Sequence, residues 1–113
     1  MGALYYTVKL SDAIEEIEML NQTLAFTERK LISRNVKLAD GAVTISMAEV
    51  NVAKAIFIRT NGKTVTLVLN SASISVSNVF FATLGADITT LTIACAEATP
   101  GADVDIVIWA DLV

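Results

Sequence analysis

An antiparallel β-sandwich or jelly roll with one short N-terminal helix is the fold class this sequence predicts. Three observations carry it. Short runs alternating apolar and polar residues recur from Gly41 onward, as in Val43-Thr44-Ile45 and Leu91-Thr92-Ile93. Turn signals such as Asn61-Gly62 and Pro100-Gly101 separate them, a spacing that suits two packed sheets. A helical period occurs once, near the start. At 113 residues the chain reads as a single domain, 1–113, with residues 1–40 as an N-terminal strand, helix and extended arm.

Ala3–Leu10 (ALYYTVKL) reads as the first strand, with the adjacent rings of Tyr5 and Tyr6 on opposite faces. Ser11-Asp12 offers N-cap oxygens, and Glu15 and Glu16 fall where a helix dipole favours acids. Ile14, Ile17 and Leu20 follow at helical spacing, so a short helix is expected to end near Asn21, although a sheet edge could hold the same residues extended. In Asn21–Lys37 neither period wins. Four of the eight bases lie there (Arg29, Lys30, Arg34, Lys37), and the segment reads as an arm or long connection with short β pieces.

Ala42–Met47 alternates as a strand. Ala55–Asn70 (AIFIRTNGKTVTLVLN) reads as a hairpin turning at Asn61-Gly62, because both central positions of a type I′ turn need positive φ. Its upstream arm is apolar on both faces, Ile56 and Ile58 opposing Phe57, so it needs two covers. Ile74–Leu84, Ile88–Ala96 and Val104–Ala110 supply the remaining strands. In the last, Val104, Ile106 and Ile108 form one face, and Asp105, Val107 and Trp109 the other.

Composition points to contacts between subunits. Hydrophobic residues make up 54% and charged ones 18%, with mean hydropathy +0.61. A domain this small has too little interior for so much apolar side chain, so the surplus is expected at interfaces. No run approaches the ~20 apolar residues of a membrane span, and the first residues lack a secretion signal's pattern. Residues 1–63 hold eight bases against seven acids, and residues 64–113 hold five acids and no base. Without a basic cluster, nucleic acid is not an expected partner.

The sequence contains no histidine, which removes the commonest general base, the commonest metal ligand and every Ser-His or Cys-His dyad. Cys95, in phase with Leu91 and Ile93, reads as an inert core residue. Glu15, Glu16 and Glu18 read as a solvated face. Asp103, Asp105, Asp111 and Asp87 could approach one another as a hard-cation site, but acids beside a turn are ordinarily surface residues. No catalytic, cofactor or metal site is therefore expected. The side chains singled out are Phe57 and Trp109, each on the second face of an already apolar strand, with Arg59 at their polar rim. Together with Tyr5 and Phe26 they are the expected subunit interface.

From Lys54 to Trp109 the order is an apolar strand ending in Arg59-Thr60, a turn, and Thr64-Val65-Thr66-Leu67-Val68-Leu69-Asn70. A Phe-rich strand, Leu91-Thr92-Ile93 and a terminal Val/Ile strand complete it. This half resembles small jelly-roll virion structural proteins of tailed bacteriophages. Those often carry Thr-Asp-x-Pro-Val followed by a strand ending Leu-Asn-Gly. Here Asn61-Gly62-Lys63-Thr64 stands in for the turn, and Asn70-Ser71 for the final Asn-Gly. The resemblance implies a non-enzymatic capsid decoration or cement protein, located in the virion and assembled in the host cytoplasm. Its implied partners are further copies of itself, as a homo-oligomer such as a trimer, and virion proteins such as the major capsid protein. A tail, neck or receptor-binding component is the first alternative, and a cellular ligand- or carbohydrate-binding sandwich module the second.

Overall fold

The computed structural model describes residues 2–45, 50–83, 88–96 and 101–112. Ten strands are present among them: β1 (Gly2–Ser11), β2 (Glu16–Phe26), β3 (Glu28–Val36), β4 (Val43–Ile45), β5 (Val50–Thr60), β6 (Val65–Leu69), β7 (Ala72–Val76), β8 (Val79–Thr83), β9 (Leu91–Cys95) and β10 (Ala102–Leu112). A single 3-10 turn, Leu38–Asp40, lies between β3 and β4. The strands form two four-stranded antiparallel sheets, ordered β3-β10-β5-β8 and β4-β9-β6-β7, and a separate β1-β2 hairpin. Partners nest: β6 pairs with β7, β5 with β8, β4 with β9 and β3 with β10.

The core lies between the two sheets. One sheet contributes Ile56, Ile58, Val104, Ile106 and Ile108, and the other Val65, Leu67, Leu91, Ile93 and Cys95, all buried. Alternation causes this, because every second side chain of a strand points to one face. Each such aliphatic side chain contributes roughly 1.5–3 kcal/mol when fully buried. The sandwich expected from the sequence is therefore present. Cys95 occupies the core position expected of it.

Four expectations on individual elements are corrected. The helix over residues 11–21 is absent, and these residues form the β1-β2 hairpin instead. Asp12 Oδ1 accepts from the Ile14 and Glu15 amides at 2.7 and 2.9 Å, and the Asp12 amide donates to the Glu15 carbonyl at 3.1 Å. A helix N-cap makes similar bonds, so the residue that signals a helix start closes a turn equally well. Beyond it the period is two: Ile17 and Met19 oppose Leu10 and Val8, while Glu16 and Glu18 ion-pair with Lys9 at 3.1 and 3.6 Å.

The second correction concerns Ala55–Asn70. β5 and β6 belong to different sheets and do not pair. Both edges of β5 are already occupied, by β10 and β8, so the Asn61-Gly62 turn carries the chain across the sandwich. Gly62 has φ +85°, but Asn61 does not share the positive φ that a type I′ turn requires. The tight two-residue hairpin lies at Asn70-Ser71, joining β6 to β7. Asn70 adopts φ +56°, and its Oδ1 accepts from the Thr89 amide at 2.7 Å and the Thr90 amide at 3.2 Å.

Third, the run expected over Ile74–Leu84 (Leu84 lies outside the described residues) is divided between β7 and β8, broken at Ser77-Asn78. There the Thr60 amide donates to the Asn78 carbonyl (2.9 Å), and Thr60 Oγ1 to that of Ser77 (3.0 Å). Fourth, Asn21–Lys37, read as an arm or long connection with short β pieces, is largely strand, the end of β2 and the whole of β3. β3 lies in the sandwich along the edge of β10, and Ile32 packs on the core.

Candidate functional site

β5 and β10 display a second apolar face away from the core, and the register aligns their side chains in rows. Leu31, Val107, Phe57 and Phe81 are successive neighbours across β3, β10, β5 and β8. On one side lies the row of Arg29, Trp109, Ala55 and Thr83. On the other, Ser33, Asp105 and Arg59 form a polar row: Ser33 Oγ donates to Asp105 Oδ1 at 2.7 Å, and Arg59 Nη2 donates to Asp105 Oδ2 at 2.9 Å. These bonds, Ser33's first and Arg59's second, hold the Asp105 carboxyl below the usual carboxylate range. Asn35 Nδ2 extends the polar border by donating to Asp103 Oδ1 at 2.9 Å.

The β1-β2 hairpin lies over this apolar row. Leu4, Tyr6 and Val8 alternate with exposed neighbours, so one face of β1 turns to the sheet. Tyr6 packs on Phe81 with ring centroids 5.2 Å apart and planes tilted by 56°, within the range favoured for aromatic pairs. Between hairpin and sheet remains a cleft of about 440 Å³, lined by Leu4, Tyr6, Val8, Phe57, Phe81 and Trp109. Ala55, on this outer face, is fully buried.

The residues singled out by sequence fall in three places. Phe57 and Trp109 are half-buried and line the cleft, so the chain's own hairpin provides part of their cover. Arg59 sits in the polar row on Asp105. Phe26 lies at the hairpin base against Gly2, where an added Cβ would come within 3.0 Å of its ring. Tyr5 points away, 76% exposed on the hairpin's other face. The two tyrosines do face oppositely, and it is Tyr6 that meets the sheet.

The carboxylates do not converge. Asp103 and Asp105 bond to Asn35 and to Ser33 and Arg59, and Asp111 ion-pairs with Lys54 at 3.2 Å. Asp87 lies outside the described residues. Among the described residues, no three His, Cys, Asp or Glu side chains are grouped to hold a metal ion.

Sequence reasoning missed Tyr6, Phe81 and the far half of the hairpin. Leu10, Ile14, Ile17 and Met19 are all exposed, Ile14 by 91%. The signal was present as a period of two through Leu4, Tyr6, Val8 and Leu10, but the helical spacing of Ile14 and Ile17 masked its continuation into β2. What this face offers chemically is apolar and aromatic recognition bordered by charge. Family models, curated proteins and solved structures were all compared with the chain, and none matched.

Proposed function

We propose that this chain is a non-enzymatic structural protein of a bacteriophage particle, built on a jelly roll and acting as a capsid decoration or cement subunit that self-associates. The nested pairing of β3 with β10 through β6 with β7 supports the jelly roll, since it is the pairing made by rolling one long antiparallel ribbon of eight strands into two sheets. The single observation that carries the assembly role is the projecting hairpin. It holds Leu10, Ile14, Ile17 and Met19 half or more exposed among the described residues. Exposed apolar residues contiguous in this way mark a contact surface. The phage setting rests on the resemblance of residues 54–109, and the particle would be assembled in the host cytoplasm.

Sedimentation velocity of the purified chain, followed by co-sedimentation with capsids, tests the reading. Self-association at micromolar concentration together with saturable capsid binding is expected. A stable monomer that stays in the supernatant sinks it, and binding to tails alone would move the chain to the neck or tail.

A second reading is favoured by the aromatic cleft. At about 440 Å³ its volume falls within the range of small-molecule sites, as a ligand- or carbohydrate-binding sandwich would require. Trp109 fluorescence titrated with a panel of sugars separates the two, because a saturable change belongs to this reading alone.

A further inference from the structure

The tip of the hairpin and the opposite edge of the sandwich are complementary surfaces. The apolar face of β1 is continuous: its first part, Leu4, Tyr6 and Val8, turns to the sheet and lines the cleft, and its far half begins at Leu10, exposed with Ile17 paired opposite it and Met19 following. Around this half stand four acids, Asp12, Glu15, Glu16 and Glu18, against one base, Lys9. The hairpin base joins the sheet on the β3 side of β10, where the Thr27 amide, just before β3, donates to the Ala110 carbonyl at 3.0 Å. Tyr6 meets Phe81 in β8, so the hairpin crosses the sheet away from β3 and its tip leads past β8.

At the other edge, β3 pairs with β10 alone among the described residues. It carries Arg29, Lys30 and Arg34 against Glu28, and on its outer face Leu31 is 65% exposed beside Arg29. One end of the molecule is thus apolar and acidic, and at the opposite end the β3 strand carries a net positive charge beside the exposed Leu31, with Asp103 and Asp105 of β10 held by Asn35, Ser33 and Arg59. The Cα radius of gyration, 14.9 Å, exceeds the ~13 Å of a compact domain of this length, as a projecting arm requires.

We infer that the occupant of the hairpin tip is a second copy of this chain: the acidic apolar tip of one protomer docks against Leu31 and the basic β3 edge of the next. The contact is heterologous, so it propagates around a ring if the rotation closes and along a filament if it does not. Opposite charge at the two ends fixes the direction and speeds encounter. This inference rests on the self-association part of the proposed function and is independent of the particle.

Sedimentation velocity of the full chain tests it with two variants, one reversing the tip (Glu15→Lys with Glu18→Lys) and one reversing the edge (Arg29→Glu with Arg34→Glu). All four side chains are exposed, and circular dichroism confirms that each variant folds. Each variant alone is expected to self-associate about tenfold more weakly. An equimolar mixture should associate more strongly than either variant alone, because each reversed end then meets its complement on the other variant. Ile17→Ser, which leaves charge unchanged, should weaken association by a similar factor. Undiminished association of either charge variant, or a mixture no stronger than the variants alone, overturns the inference and leaves the proposed function standing. A wild-type chain that remains monomeric overturns both.

Discussion

The eight-stranded sandwich and the N-terminal hairpin are written in the same alternating pattern, and only the sandwich buries what the pattern separates. In β5, β9 and β10 the described inward side chains are buried in the core, and Ile58, Ile93 and Ile108 are essentially without exposure. In β1 and β2 the apolar face is longer than the sheet beneath it. Leu4 and Tyr6 find cover, and Leu10, Ile17 and Met19 do not. Alternation sets which residues face together, whereas burial depends on whether a second layer stands opposite. The sandwich is complete within one chain, and the hairpin presents a face that a partner would complete.

The largest effects should therefore fall inside the sandwich. Ile58→Ala removes a fully buried side chain at the centre of the core, and a loss of roughly 2–5 kcal/mol in urea unfolding is expected. Ile17→Ala, an equal truncation in the hairpin, should change unfolding of the chain by no more than ~0.5 kcal/mol. If the two cost the same, the hairpin is folded into the cooperative core and the contrast between the regions fails.

Gly101 tests the backbone of the sandwich in the same way. Its φ is +80°, and a Cβ there would stand 2.6 Å from the Val36 carbonyl oxygen. Gly101 sits directly before β10, beside the end of β3, so relief requires moving two paired strands. Gly101→Ala should cost ~2–3 kcal/mol, from the left-handed conformation and the clash together. At Gly62 a Cβ would meet nothing within 4 Å, so Gly62→Ala should lose only the conformational part, roughly 1 kcal/mol. Thermal melts of the two variants side by side check the difference.

Tyr6 joins the regions. Tyr6→Ala removes the ring packed on Phe81 and opens the cleft above Phe57 and Trp109. A loss of ~1 kcal/mol is expected, with Trp109 fluorescence shifted to the red and faster amide exchange through residues 2–26. A variant whose Trp109 emission and hairpin protection are unchanged would show that another contact holds the hairpin down.

How much of this was legible in the sequence differs between particular residues. That Phe57 and Trp109 need a second cover follows from alternation alone, because Ile56, Ile58, Ile106 and Ile108 already fill the other face. Where the cover comes from did not follow, since Asp12 makes the bonds of a helix start and a tight turn alike. Strand partners were the other gap. Asn61-Gly62 is a strong local signal, but pairing is settled by edges, and both edges of β5 are taken by strands that come after β6 and β7 in sequence. Local chemistry marks where a chain turns, and the sheet determines which strand it meets next.

The smallest effect concerns two carboxylates, one in each region. Asp105 ties β3 to β5 through Ser33 and Arg59, and Asp12 closes the hairpin turn, where the Glu15 amide first and the Ile14 amide second hold its carboxyl below the usual range. A pKa lowered on folding means that the folded state favours the charged form. The stabilisation is then fully present above the ordinary value of about 3.9 and is lost as pH falls through the lowered folded value. Between pH 7 and 5 neither group should change anything. Below that, both carboxylates should titrate with midpoints under ~3.9, Asp12 registered by the Ile14 and Glu15 amide shifts and Asp105 by those of Ser33 and Arg59. The regions should respond separately, since protonating Asp12 loosens a turn that projects into solvent and protonating Asp105 loosens a bridge across three paired strands. Asp12→Asn should therefore abolish the first set of shifts and leave the second intact. Midpoints at or above ~3.9 would mean that the hydrogen bonds are not held in solution.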